Sequence, residues 1–416
     1  MNTQSSPIAL DPTGAARPAE HTELRSHGPA VQVDVLGVRA WSITDPELLK
    51  KLLTSKDVSK DARAHWPSYE EAIQTWPLAL WVAVHNMFTA YGSDHTRLRR
   101  MIAPAFSARR TQALAEFIDA TVTTILDDLD TFPAGTVIDL REYLSYPLPI
   151  GVIGHLTGVP PQQRDAFRMV VDGVFDTTLT QAQAVANSQA LRAALDDLIA
   201  TRRAEPGDDL TSLLISTRDE DSDEGQGLSD DELRDTLLLM ISAGYETTSN
   251  AIDQAVSLLL THPGQLAHIR EGRANWSDVT EEALRLEPPV VHLPMRFAVN
   301  DTVLPDGQVI TKGEAILASY GAANRHPSWH GEDADTFDVT RLTQEHLSFG
   351  YGVHFCLGAP LARLEITTAL RLLFERFPDI TLAVPAEDLV ALDSMISNGH
   401  QTLPVRLRPL PTQAAR

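Results

Sequence analysis

Cysteine is nearly missing from this chain: its 416 residues hold one, Cys356. One thiol cannot close an internal disulfide. It cannot build a structural zinc site, which needs several Cys or His ligands at short spacing, or an iron–sulfur cluster, which needs about four thiolates. Three roles survive: an inert buried thiol, a catalytic nucleophile, or a single thiolate ligand to a metal that brings its other ligands with it. Positive charge is scarce too. Lys and Arg number 34 against 56 Asp and Glu, a formal charge of −22, which argues against nucleic acid or an anionic membrane surface as a partner. No stretch of about 18 apolar residues is present, so no membrane anchor is expected. Met1 to Glu20 has no apolar core of a signal peptide. With one thiol, a reducing cytoplasm is the expected compartment. No Pro/Gly/Ser-rich linker divides the chain. The expectation is one large domain over residues 25–408, with a disordered segment 1–24 and a flexible tail 409–416.

What is present is mostly helical periodicity. Apolar residues recur at three- and four-residue spacing over 46–54, 108–131, 160–176, 182–203, 229–261 and 359–377. Short strand-like runs fall at Val31–Val38, Trp41–Ile43, Val303–Ile310, Ala315–Ser319, Thr381–Leu382 and Val405–Leu407. The acidic run Asp219 to Gly227 reads as a solvated loop. The longest helix opens on a capping box, Ser229-Asp230-Asp231-Glu232, and stops before Pro263. At about 1.5 Å per residue it spans roughly 50 Å. Its middle reads Ala243-Gly244-Tyr245-Glu246-Thr247-Thr248. A glycine and an acid inside a buried helix cost stability, so something must compensate.

Cys356 sits in Phe349-Gly350-Tyr351-Gly352-Val353-His354-Phe355-Cys356-Leu357-Gly358. Gly350 and Gly352 permit positive φ and close approach to a flat ligand. Beyond Gly358, Pro360 suits the first turn of a helix. A cysteine just before a helix N-terminus has its thiolate stabilised by unpaired N–H groups and the helix dipole. Haem matches a single thiolate, because the porphyrin supplies four nitrogens and the protein one axial sulfur. The spacing F-G-x-G-x-H-x-C-x-G resembles the haem-binding loop of the cytochrome P450 superfamily, in its soluble bacterial, actinobacterial form. The pattern can be laid from about Val31 to Leu407.

That resemblance implies a mainly α P450 fold with small β-sheets, haem b as cofactor, and Cys356 as the iron ligand. Phe349, Gly350 and Gly358 would then contact the haem. Ala243-Gly244-x-Glu246-Thr247 resembles the acid–alcohol motif of the helix over the distal face: Ala243 and Gly244 leave room, Thr247 hydrogen-bonds dioxygen, and Glu246 relays protons. His95 to Arg100 resembles the family's HxxxR helix, so His95 and Arg99, with Arg296 and His354, are the propionate ligands. Glu282-Ala283-Leu284-Arg285 resembles the ExxR element, joined by Arg341 in a structural triad. One departure stands out: His326 replaces the aspartate common in Asn-Arg-Asp-Pro, which weakens the expected turn cap.

The substrate pocket, matched to the family's variable segments, takes Trp81, Val84, Met87, Phe175, Met240, Ala243, Val291, His292, Met395 and Ile396. His292 is either a polar handle for substrate or a histidine bonded elsewhere. The chain has no flavin or iron–sulfur segment, so ferredoxin and ferredoxin reductase are the expected electron donors, docking on Arg97, Arg99, Arg100, Arg109, Arg110 and Arg363. A monomer is expected. The leading activity is insertion of one oxygen atom from O2 into a lipophilic natural product such as a polyketide, peptide, terpenoid or steroid. Oxidative coupling or ring formation without oxygen transfer is the alternative. A non-haem cysteine enzyme and a haem sensor are further readings.

Overall fold

The computed structural model describes residues 6–217 and 227–410. The acidic run lies outside this range except for its last residue, as does the tail beyond 410. Helices dominate. The expected helix 46–54 is Pro46–Thr54, N-capped by Asp45, whose carboxylate accepts from Leu48 N. The expected 108–131 splits into Ala108–Ala113 and Ala115–Asp130. The expected helix at 160–176 forms as Arg164–Phe175, and that at 182–203 as Gln181–Ala204.

The longest helix, Asp230–Thr261, crosses the molecule. Its capping box forms in both directions: Glu232 N donates to Ser229 Oγ and Ser229 N to Glu232 Oε2. The compensation for its buried acid is a polar chain. Asn250 Nδ2 donates to Glu246 Oε1 at 2.8 Å, and Arg141, itself fully buried, donates to Asn250 Oδ1 at 2.7 Å. Arg141 also faces Asp253 at 3.4 Å, and His400 Nδ1 lies 2.9 Å from the same carboxylate. A buried charge persists only when paired in this way.

The main sheet has six strands in the order Ile8–Ala9, Ala30–Val35, Val38–Ile43, Ala315–Ser319, His292–Ala298, Val58–Ser59. The hairpin between the second and third turns through Leu36 and Gly37, both at positive φ. Strands Ala315–Ser319 and His292–Ala298 pair antiparallel with a register shift between Leu293 and Arg296. Alternation alone would put Leu293 and Met295 on one face. The irregularity instead turns both Leu293 and Arg296 toward the same cavity, a common use of a bulge beside a functional site.

The expectation of disorder over 1–24 is corrected from residue 6 onward. Ile8–Ala9 pairs in parallel with Val33–Asp34, and Arg17–Ser26 is a helix with Leu24 fully buried. The segment is polar overall, so its order comes from buried contacts made elsewhere in the chain.

Candidate active site

The cysteine loop is held from below by the ExxR element. Arg285 and Glu282 are both fully buried and form a two-pronged pair at 2.7 and 2.8 Å. Arg285 also donates to the carbonyls of Asn324, Ala334 and Thr336. Glu282 accepts from Asp338 N and from Arg341 Nε at 3.3 Å. The fixed Asn324 then receives Leu347 N on its Oδ1 and donates to Ser348 Oγ, while Ser348 Oγ donates to Leu284 O. Charge is thus converted, bond by bond, into the position of the loop that leads to Phe349. The turn at His326 is not weakened. Its imidazole Nδ1 accepts from Ser328 N at 3.2 Å, a geometry open to histidine when neutral, and burial lowers its pKa.

The loop itself closes with Gly350 N donating to Leu347 O and Cys356 N to Phe349 O. Gly350 and Gly352 adopt φ of 72° and 73°. Cys356 faces a cleft of about 280 Å³, and helix Ala359–Arg376 begins behind it. The Gly358 and Ala359 N–H groups and the Arg99 and Arg363 guanidiniums all favour the thiolate, but burial outweighs them and pushes the thiol up.

Opposite the sulfur, Ala243, Gly244 and Thr247 line the cleft. The Thr247 hydroxyl donates to Ala243 O at 2.6 Å. Glu246 is buried and points away, into the Asn250–Arg141 chain. Gly244 has a second duty that the sequence did not show. A Cβ there would meet Ile153 Cδ1 at 2.8 Å, so the glycine also lets helix Pro147–Thr157 pack closely.

Basic side chains gather on one side of the cleft. Lys60, Arg99, Arg296 and a neutral His354 line it, and the His95 ring lies 4.2 Å from that of His354. Arg99 donates to Phe355 O at 2.7 Å. His95 Nε2 and an Arg296 terminal nitrogen are buried with no hydrogen-bond partner. Burial, then Arg296, His95, Lys60 and Arg99, push the His354 pKa far down. Lys60 is fully buried, donates only to Pro294 O, and its pKa is pushed down by burial and by Arg296. A cluster of this kind is stable only when an anion completes it. The carboxylates of a haem would fit these residues, and Cys356 and Ala243 line the same cleft.

The structure places Trp81, Val84, Met87, Phe175, Met240 and Ala243 on the cleft wall. The expectation for Val291, His292, Met395 and Ile396 is corrected: all four are buried behind that wall. His292 is tied to Ser319 Oγ and Glu20 Oε1, each at 3.1 Å, and so is not a handle for substrate. Alternation along the strand sends it to the face opposite Leu293. Lys60, Tyr320, Thr248 and Glu365 on the wall were not foreseen. A single lysine in Val58-Ser59-Lys60-Asp61 reads as a surface charge. Glu365 reads as the polar face of a helix, yet it is buried and its carboxyl is pushed well up.

A cleft lined by one cysteine, a basic rim and apolar side chains is what a haem-thiolate protein requires. Comparison with known proteins agrees. A family model described as cytochrome P450 matches residues 159–273 and 277–383. The 2-hydroxy-5-methyl-1-naphthoate 7-hydroxylase of Streptomyces carzinostaticus is 38% identical over 413 residues, 99% of this chain and all of its own length. The 6-deoxyerythronolide B hydroxylase of Saccharopolyspora erythraea is 37% identical over 396 residues, covering 93% of this chain and 95% of its own. The solved structure of CYP154A1 from Streptomyces coelicolor A3(2) superposes with a TM-score of 0.93 at 65% identity, covering 96% of this chain and all of that one. The chain belongs to the cytochrome P450 family. It is a haem b monooxygenase, an oxidoreductase. Among the described residues, no helix is long and apolar enough to cross a membrane.

Proposed function

We propose that this enzyme hydroxylates or epoxidises a lipophilic natural product of the polyketide, peptide, terpenoid or steroid kind. The observation that carries the reading is the apolar cleft between Cys356 and Thr247, walled by Trp81, Val84, Met87, Phe175 and Met240. Relatives named as hydroxylases of 2-hydroxy-5-methyl-1-naphthoate and of 6-deoxyerythronolide B support the substrate class. Bound haem supplies the activation of dioxygen, with a thiolate pushing electron density from below.

The chain's own residues do the rest. Cys356 Sγ would supply the thiolate to the iron. Arg99, Arg296, His95 and His354 would hold the propionates, with Lys60 beside them. The Thr247 hydroxyl can leave Ala243 O and present its proton to the cleft. Glu246, next to Thr247 in the helix, would relay protons only on turning from Asn250 toward the cleft. The apolar wall holds substrate by burial and keeps bulk water away.

Electrons come from a ferredoxin with its reductase, and the enzyme works as a cytoplasmic monomer. The docking face is narrower than the sequence implied. Arg363 is engaged by Glu281 in a two-pronged pair, Arg97 by Asp94 and Glu232, and Arg99 by Phe355 O. Arg109 and Arg110 are exposed and carry the positive face.

The test is turnover with ferredoxin, reductase and isotopically labelled dioxygen. A product heavier by one labelled oxygen atom is expected. Loss of hydrogen without oxygen gain would replace this reading with oxidative coupling.

A further inference from the structure

The N-terminal segment is bonded into the back of the cleft at several points. Arg17 is buried and threads its guanidinium into the turn 394–398. Its terminal nitrogens donate to Ser394 O at 2.7 Å, Ser397 O at 2.8 Å and Asn398 Oδ1 at 2.7 Å. Just upstream, Pro12 O accepts from Thr177 Oγ1 at 2.6 Å, and Thr177 Oγ1 in turn accepts from Met395 N at 2.9 Å. Gly14, at φ 66°, lies so close that a Cβ there would run into Ser394 O and the Arg17 guanidinium.

The turn it grips touches two segments of the cleft wall. Ser394 Oγ donates to Phe175 O at 2.6 Å. Val291 N donates to Ile396 O and Asn398 N to Pro289 O, and Val290 bridges to Ser397. Phe175, Pro289 and Val290 all line the cleft. None of the N-terminal residues does.

We propose that Arg17 is a positioning residue for substrate selection: it sets the turn 394–398 and, through it, the placement of Phe175 and Pro289–Val290, and so the size of ligand the cleft accepts. The physical reason is the set of carbonyls. Without Arg17, Ser394 O and Ser397 O lose buried donors and the turn must shift to find others. Phe175 and Val290 move with it, because they are bonded to it directly. The haem cations, on other segments, are left in place. This proposal rests on the cleft being the substrate site.

The test uses the haem-loaded full chain and two azoles that bind iron from the cleft side, followed by optical titration. Imidazole reads access to the iron. 4-Phenylimidazole also reads the room around it. Arg17→Met and Gly14→Ala are expected to shift the ratio of the two dissociation constants by about fivefold or more, with imidazole affinity kept within about twofold. Arg17→Lys, which keeps one donor, is expected to fall between. Gly14→Ala keeps the guanidinium and displaces the segment, so it decides the matter if Arg17→Met fails to fold. An unchanged ratio in the variants overturns the proposal, as does equal weakening of both azoles, which would mark Arg17 as structural only. A wild-type protein that binds neither azole at iron overturns the reading of the cleft itself.

Discussion

Arg285→Lys tests how the cysteine loop is held. The substitution keeps the positive charge and removes the fork. Arg285 makes five hydrogen bonds, to both Glu282 oxygens and to the carbonyls of Asn324, Ala334 and Thr336. An ammonium has three donors, so at least two of the five bonds are lost, although Glu282 Oε1 and Thr336 O keep Arg341 as a donor. Each lost bond costs about 0.5–1.5 kcal/mol, giving a loss of at least about 1–3 kcal/mol. That is a large part of the 5–15 kcal/mol of a typical domain. The effect also travels: with Asn324 free, Leu347 N and Ser348 lose their anchors, and Cys356 is no longer aimed at the cleft. Guanidinium denaturation, followed by helical circular dichroism and haem absorbance in parallel, measures both parts. The expected result is the stated loss together with incomplete haem and a weakened band for the reduced carbon-monoxide complex. Stability within about 0.5 kcal/mol of wild type, with full haem content, would refute the argument.

Two further outcomes are expected. Burial would raise the Glu281 carboxyl, but Arg363 and His346 outweigh it and hold it at about 2. Its pKa is lower folded than unfolded, so its stabilisation is present above about pH 4.5 and fades as pH falls toward 2. Between pH 7 and 3 the wild type should lose about 1–2 kcal/mol that Glu281→Gln does not, and identical pH slopes in urea melts would count against the pairing. Lys60→Met should act with opposite signs on the two forms of the protein. It removes a buried cation and so stabilises the haem-free chain. It also removes a charge-assisted partner worth about 1.5–3 kcal/mol, so transfer of haem to apomyoglobin should be faster by about tenfold or more. An unchanged transfer rate would exclude Lys60 from the propionate group.

The sequence by itself determined the chemistry at its centre. One cysteine among glycines, followed by a helix start, left few roles open, and the capping box of Ser229 and Glu232 fixed where the longest helix begins. These are local matters, written in residues close together in the chain. The basic cluster beside the cleft was legible in part, because His95, Arg99, Arg296 and His354 stand in recognisable motifs. Lys60 joins them only in space, since a lone lysine carries no mark of whether a strand will bury it. The same is true of Arg17. Its neighbours are polar, so the segment reads as solvated, yet three acceptors some 380 residues away bury its guanidinium. His292 failed as a pocket residue for a related reason: alternation along its strand, paired with Ala315–Ser319, puts it on the face opposite Leu293, where Ser319 and Glu20 hold it. Local pattern specifies what an element is and which atoms it carries. Only tertiary packing decides which face is buried and which charge finds its partner, because those energies come from contacts between distant parts of the chain.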